Sequence, residues 1–177
     1  MVCTLREWRP EDASALAALL NNKKIQDNLR DGIPFPYTKL DAAVFIGQML
    51  ERDPHALYAF AVTADGALAG SISVARQRNI HSHTGELGYY IGEAFWGAGV
   101  GTEAVRQMCG YIFAHTDIIR IFAEPFSYNT ASRRVLEKNG FRLEGTMRQN
   151  ACKNGRLQDM ELYALLKEER GAGYIPG

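Results

Sequence analysis

The sequence predicts a mixed α/β fold whose elements run β-α-α-β-β-β-α-β-α-β-β, on a mostly antiparallel sheet. Three observations predict it. Strand-like stretches, the alternating residues 3–9 among them, lie toward both ends of the chain. Asp65-Gly66 and Asn154-Gly155 stand between such stretches, and Asp-Gly and Asn-Gly are strong hairpin signals. One strand-helix-strand unit sits mid-chain. That unit sets a parallel pair inside an antiparallel sheet, which differs from a doubly wound parallel fold.

Each element follows in order. Residues 3–9 alternate Cys3, Leu5, Glu7 and Arg9 against Thr4, Arg6 and Trp8, the pattern of a first strand. Pro10 and Glu11 open a helix that runs through Leu20, with Leu16, Leu19 and Leu20 on one face. Residues 21–37 contain Asp31-Gly32, Pro34 and Pro36 and read as a loop with room for a short helix. A second helix spans 41–51, with Val44, Phe45, Gln48 and Met49 at helical spacing. Strands follow at 57–63, 67–76 and 84–92. Gly97-Ala98-Gly99-Val100-Gly101 then leads into a helix that ends near His115. A short apolar strand covers 118–124, and a helix covers 129–139, ended by Gly140. Strands at 141–151 and 156–166 close the pattern. Residues 1–170 form one domain, and 171–177 read as a frayed tail.

The chain has 177 residues, a length that suits one domain with its own core. Lys+Arg and Asp+Glu both total 20, so the formal net charge is zero. That balance argues against a broadly basic nucleic-acid binder. No apolar run approaches the roughly 18 residues of a membrane helix. The charged, alternating start Met-Val-Cys-Thr-Leu-Arg-Glu-Trp is unlike a signal peptide. Cys3, Cys109 and Cys152 are odd in number and widely spaced, so they read as reduced thiols of a cytoplasmic protein, with no metal-ligand spacing.

Gly97, Gly99 and Gly101 lie between a strand and a helix. Glycines let a backbone approach a ligand, and the unpaired N–H groups of a helix N-terminus favour an anion. A phosphate loop of the Walker type needs Lys then Ser or Thr after its last glycine, and Thr102-Glu103 stands there instead. A dinucleotide fingerprint needs glycine at position 102. A glycine-rich turn with no ligand is the other reading.

The segment Trp96-Gly97-Ala98-Gly99-Val100-Gly101-Thr102-Glu103-Ala104 resembles motif A of the GNAT acetyltransferases, whose pattern is Arg/Gln-x-x-Gly-x-Gly/Ala. Trp96 stands where many members carry Arg or Gln; the Trp-Gly-x-Gly form resembles the RimJ/RimL-like ribosomal-protein N-terminal acetyltransferases. About thirty residues on, the segment from Asn129 through Ser132 and Leu136 to Gly140-Phe141 resembles motif B. The resemblance covers almost the whole chain. It implies the GNAT fold with a splayed central parallel pair, acetyl-CoA as donor, and direct transfer to a primary amine. Small-molecule amines (polyamine, amino acid, aminoglycoside) are alternative acceptors, and a non-catalytic acyl-CoA-binding module is an alternative function.

The resemblance also implies roles. The N–H groups of Gly97, Ala98, Gly99, Val100, Gly101 and Thr102 would hold the pyrophosphate, with Trp96 packing that loop or touching the acceptor. Tyr90 and Ile91 would pair with the pantetheine arm in strand fashion, and the Ile91 N–H is the candidate oxyanion donor. Asn129 would bond the same arm while capping its helix. Ser132 is the candidate acid at the leaving sulfur, because Leu136 stands where many members have Tyr; Tyr128 is an alternative. Glu86 is the candidate base and Glu124 the second candidate at the acceptor side, since the acceptor ammonium must lose a proton. An ion-paired strand carboxylate is the other reading of Glu86.

Phe35 and Tyr37 are candidates to line the acceptor pocket. His81 and His83 lack a third metal ligand and read as a surface loop. Cys109 sits among Val105, Met108 and Ile112 and reads as core. Arg76 and Arg78 are solvated strand ends or anion ligands for the 3′-phosphate of CoA or an acidic acceptor. The C-terminal strands leave either a homodimer edge or a free one.

Overall fold

A computed structural model describes residues 1–171; the tail expected to fray lies, from residue 172, outside them. Seven strands form one sheet: β1 (Cys3–Arg6), β2 (Leu57–Ala64), β3 (Ala67–Arg76), β4 (Thr84–Ile91), β5 (Arg120–Ala123), β6 (Arg142–Lys153) and β7 (Arg156–Leu166). Their order is β1-β2-β3-β4-β5-β7-β6, and β4–β5 is the parallel pair. The helices are α1 (Ala13–Leu20), α2 (Lys23–Gln26), α3 (Lys39–Glu51), α4 (Val100–His115) and α5 (Thr130–Lys138).

The apolar residues divide between two faces. On one, Ala104, Val105, Met108, Cys109 and Ile112 of α4 pack against Val62, Ile72, Val74, Leu87 and Ile91. On the other, Trp8, Leu16, Leu20, Tyr37, Ala42 and Ile46 form a second cluster under α1 and α3. Burial also pushes the Cys109 thiol up to about 12, which suits packing and not nucleophilic chemistry.

Three boundaries differ from the sequence pattern, each with a physical cause. The first strand stops at Arg6, because Trp8 turns beneath α3 and meets Phe45 edge-on at 5.4 Å. The second helix starts at Lys39, because Thr38 and Asp41 form a reciprocal capping box. Its buried positions are Ala42 and Ile46, with Phe45 and Met49 packed beside them, while Val44 is exposed. The fifth strand begins at Arg120, after Thr116 Oγ accepts from the Ile118 N–H at 3.1 Å. Asp65-Gly66 and Asn154-Gly155 close the two hairpins as their chemistry dictates.

Candidate active site

The site is built where β4 and β5 part. Thr84–Glu86 pair with Arg120–Phe122, and no further pairs follow. Beyond β5 the chain turns to run beside β7, where Glu161 N–H donates to Pro125 C=O and Ser127 N–H to Asp159 C=O, both at 2.9 Å. The upper half of β4 is therefore left with an open edge. Which amides face it follows from strand alternation. Gly92 N–H donates to Ala69 C=O on β3 at 2.8 Å, and His83 C=O accepts from Ile119 N–H on the β5 side at 2.9 Å. Even-numbered residues of β4 thus turn their amides to β3, and odd-numbered ones to the opening. Tyr89 and Ile91 present free N–H groups there. The backbone of Tyr90, expected to pair with pantetheine, is committed to Ser71 of β3.

Two cavities lie along this opening. One, of about 490 Å³, is lined by the turn before α4 and by α5. Gly97 and Gly99 hold φ of 74° and 79°, which side chains rarely adopt, and nothing stands within 4 Å of where a Cβ would lie. Gly99 caps α4 without a side-chain bond, so the first-turn amides stay unsatisfied. Val100, Gly101 and Thr102 line the same wall, whereas Ala98 does not. Trp96 is half exposed, and its indole N–H donates to Ile91 C=O at 2.7 Å, which ties the loop to the strand end. Arg134 and Lys138 face this cavity from α5, and no ion-pair partner holds either among the described residues. Open glycines, free amides and two cations fit the pyrophosphate and 3′-phosphate of CoA.

The other cavity, of about 460 Å³, lies toward α3. Leu29, Ile33, Phe45, Met49 and Met160 line much of it, with Glu86 and Glu124 among its few charged groups. Glu86 is ion-paired with Arg30, whose same Nη2 lies 3.5 Å from Glu124 Oε2. Burial, and then the neighbouring Glu86 charge, raise the Glu124 carboxyl above its ordinary range, while Arg30 acts against them. Gly88 carries no side chain on the face of Glu86 and Tyr90, so space remains about 7 Å along the strand from Glu86.

The cavities meet at Asn28, Leu29, Tyr89, Tyr90, Asn129 and Ser132. Asn129 Oδ1 accepts from Ser132 N–H at 3.2 Å, which caps α5. Ser132 Oγ lies 2.9 Å from the hydroxyl of Tyr89. Burial pushes that phenol up to about 12, so it keeps its proton throughout the neutral range. Burial raises the Tyr90 phenol as well.

Other expected residues sit elsewhere. Tyr37 is buried in the second core cluster, and Phe35 is exposed beneath the Lys23 ammonium, 5.6 Å from its ring centroid. Neither lines either of these two cavities. The Tyr128 hydroxyl is taken by Asp27 C=O, and Leu136 is fully buried. Arg76 bonds Tyr58, Ser82 and Asp117 at the far end of β4 from the glycine turn, away from the cavity that Arg134 and Lys138 line. His83 rests against Asp117 at 3.3 Å. Tyr89, Arg30, Arg134 and Lys138 were missed by the sequence reading. The stripe Ala131, Arg134, Val135 and Lys138 could have shown the last pair as one face of a helix; Arg30 left no such signal.

An anion cradle and a carboxylate-edged chamber, meeting at the fork of a splayed sheet, define an acyl-transfer site for a nucleotide-bearing donor. The sequence matches the acetyltransferase (GNAT) domain over residues 3–142, and the chain belongs to that family of acetyl-CoA-dependent N-acetyltransferases. It is 34% identical over 122 residues to "Probable N-acetyltransferase YjcK" of Bacillus subtilis, a span of 69% of this chain and 67% of that one. Two solved structures share its fold. RimJ of Mycobacterium smegmatis in complex with CoA-disulfide superposes with TM-score 0.86 at 23% identity, over 95% of this chain and 83% of that chain. RimL, a ribosomal L7/L12 α-N-protein acetyltransferase in complex with coenzyme A, superposes with TM-score 0.83 at 24% identity, over 94% of both. No described helix is long and apolar enough to cross a membrane.

Proposed function

We propose that the chain moves an acetyl group directly from acetyl-CoA to the α-amine of a protein N-terminus. The observation that carries direct transfer is the meeting of two cavities at Tyr89, Tyr90, Asn129 and Ser132, with no activated nucleophile between them. The Trp96-Gly-x-Gly motif and the likeness to RimL support an α-amine acceptor.

Acetyl-CoA bound along the opening supplies the acyl group and a thiolate leaving group. Arg134, Lys138 and the amides of Gly97, Gly99, Val100, Gly101 and Thr102 hold its phosphates. The Ile91 N–H pairs with the pantetheine arm, and the Asn129 amide supports it. The Tyr89 N–H, not that of Ile91, lies where both cavities join and so serves the carbonyl oxygen. Glu86 and Glu124 receive the proton of the amine directly, and the space left by Gly88 gives the acceptor room beside them. The Ser132 hydroxyl donates to the sulfur, and Tyr89 donates to Ser132 behind it.

Incubation of a peptide bearing a free N-terminus with acetyl-CoA tests this, read as CoA release and as the site of acetylation by mass spectrometry. The α-amine is expected to gain one acetyl group. Ser132→Ala and Glu86→Gln are each expected to lower turnover on the order of 10²-fold in a folded protein. Near-wild-type turnover in both would remove the roles given to them.

A further inference from the structure

The acceptor chamber holds a cation of its own. A single guanidinium nitrogen of Arg30 touches carboxylate oxygens of both Glu86 and Glu124. Glu86 stands on β4 opposite Phe122 of β5, and Glu124 lies just past the end of β5. Two carboxylates converging on one nitrogen form a site for an ammonium. Arg30 is a weak occupant, because its side chain is 64% exposed and surface ion pairs contribute little. Its neighbours are fixed. Asp31 accepts from Lys153 at 2.8 Å and Asp27 from Asn154 at 3.0 Å, so the segment is pinned on both sides of Arg30 to the β6–β7 hairpin. The guanidinium can leave by side-chain rotation alone. Leu29, Ile33, Phe45, Met49 and Met160 line the same chamber. A second cation on the acceptor would find no carboxylate among those five side chains.

We propose that the preferred acceptor is an N-terminal α-amine on a large apolar residue. Its ammonium replaces Arg30 between Glu86 and Glu124, and its side chain fills the chamber. The proposal rests on the α-amine reading above and narrows it. Apolar burial favours each added methylene, so a leucine or methionine at the first position gains contacts that serine or alanine lacks. Arg30 acts as an internal competitor that the entering amine displaces.

The test is steady-state acetylation of peptides identical except for the first residue (Leu, Met, Phe, Ala, Ser, Asp), with spermidine as a further acceptor. Peptides headed by Leu, Met or Phe are expected to exceed those headed by Ala or Ser about tenfold in kcat/KM. Arg30→Ala is expected to lower the peptide KM several-fold. Equal or better turnover of the Ser- or Ala-headed peptides overturns the apolar preference. An unchanged or raised KM in Arg30→Ala overturns the competitor role. Acetylation of spermidine with every peptide refused overturns the α-amine reading itself, and thereby separates its failure from that of the narrower proposal. Thermal melting of each variant confirms that it folds.

Discussion

At the residue scale, the pairing of Tyr89 with Ser132 carries a consequence that neither residue shows alone. A buried phenol that keeps its proton directs the serine hydroxyl, because Oγ can accept from Tyr89 and still donate to sulfur. Removing either member should therefore disable the same function. Tyr89→Phe is expected to lower kcat about tenfold, and Ser132→Ala more. The double variant should lose little beyond Ser132→Ala, because linked groups are not additive. Rate constants for the four proteins of the cycle check this; additive losses would show that the two act separately. Ser132 and Asn129 were legible as motif residues. Tyr89 was not, because adjacent tyrosines in a strand differ only in which way their side chains and amides turn. The sequence does not show whether odd or even residues face the opening.

At the element scale, local chemistry was legible where the signals are short-range. The glycine turn, both hairpin dipeptides and the Gly140 helix stop depend on a few neighbouring residues, and all stand where the pattern put them. The end of β1 was not legible, because Trp8 turns beneath α3 there and an ion pair ties Arg6 to the helical turn that follows. Both Nη atoms of Arg6 donate to Asp12, at 2.8 and 2.7 Å, and the Arg9 N–H donates to it at 3.0 Å. The Arg6 hydrogen bonds hold the Asp12 carboxyl below the usual carboxylate range. A depressed folded-state value means that this stability is fully present above about pH 4 and is lost as pH falls through the lower folded value. Asp12→Asn is expected to cost about 2 kcal/mol at pH 7. The gap to wild type should narrow below about pH 4. Urea unfolding across that range measures it, and a gap independent of pH would contradict the ion-pair account.

At the scale of the whole molecule, the element order was legible and the site largely was not. Strand placement follows from pairing partners far apart in sequence. The return of β7 between β5 and β6 is one case, and the run of residues 125–127 beside β7 is another. The fork that opens β4 follows from that second pairing. The loop that carries Arg30 reaches the same fork because Asp27 and Asp31 bond a hairpin more than 120 residues away. No local pattern encodes such contacts, so the acceptor side of the cleft emerged only in three dimensions. The donor side was readable because one helix start and one turn build most of it.

Calorimetric titration with acetyl-CoA, set against CoA, ATP and NAD, tests the central claim most directly. Acetyl-CoA and CoA are expected to bind in preference to the other two. Gly99→Ala should weaken that binding about tenfold, because alanine is strained at a left-handed φ. A folded protein that binds neither acetyl-CoA nor CoA, or binds ATP and NAD equally well, would contradict the account.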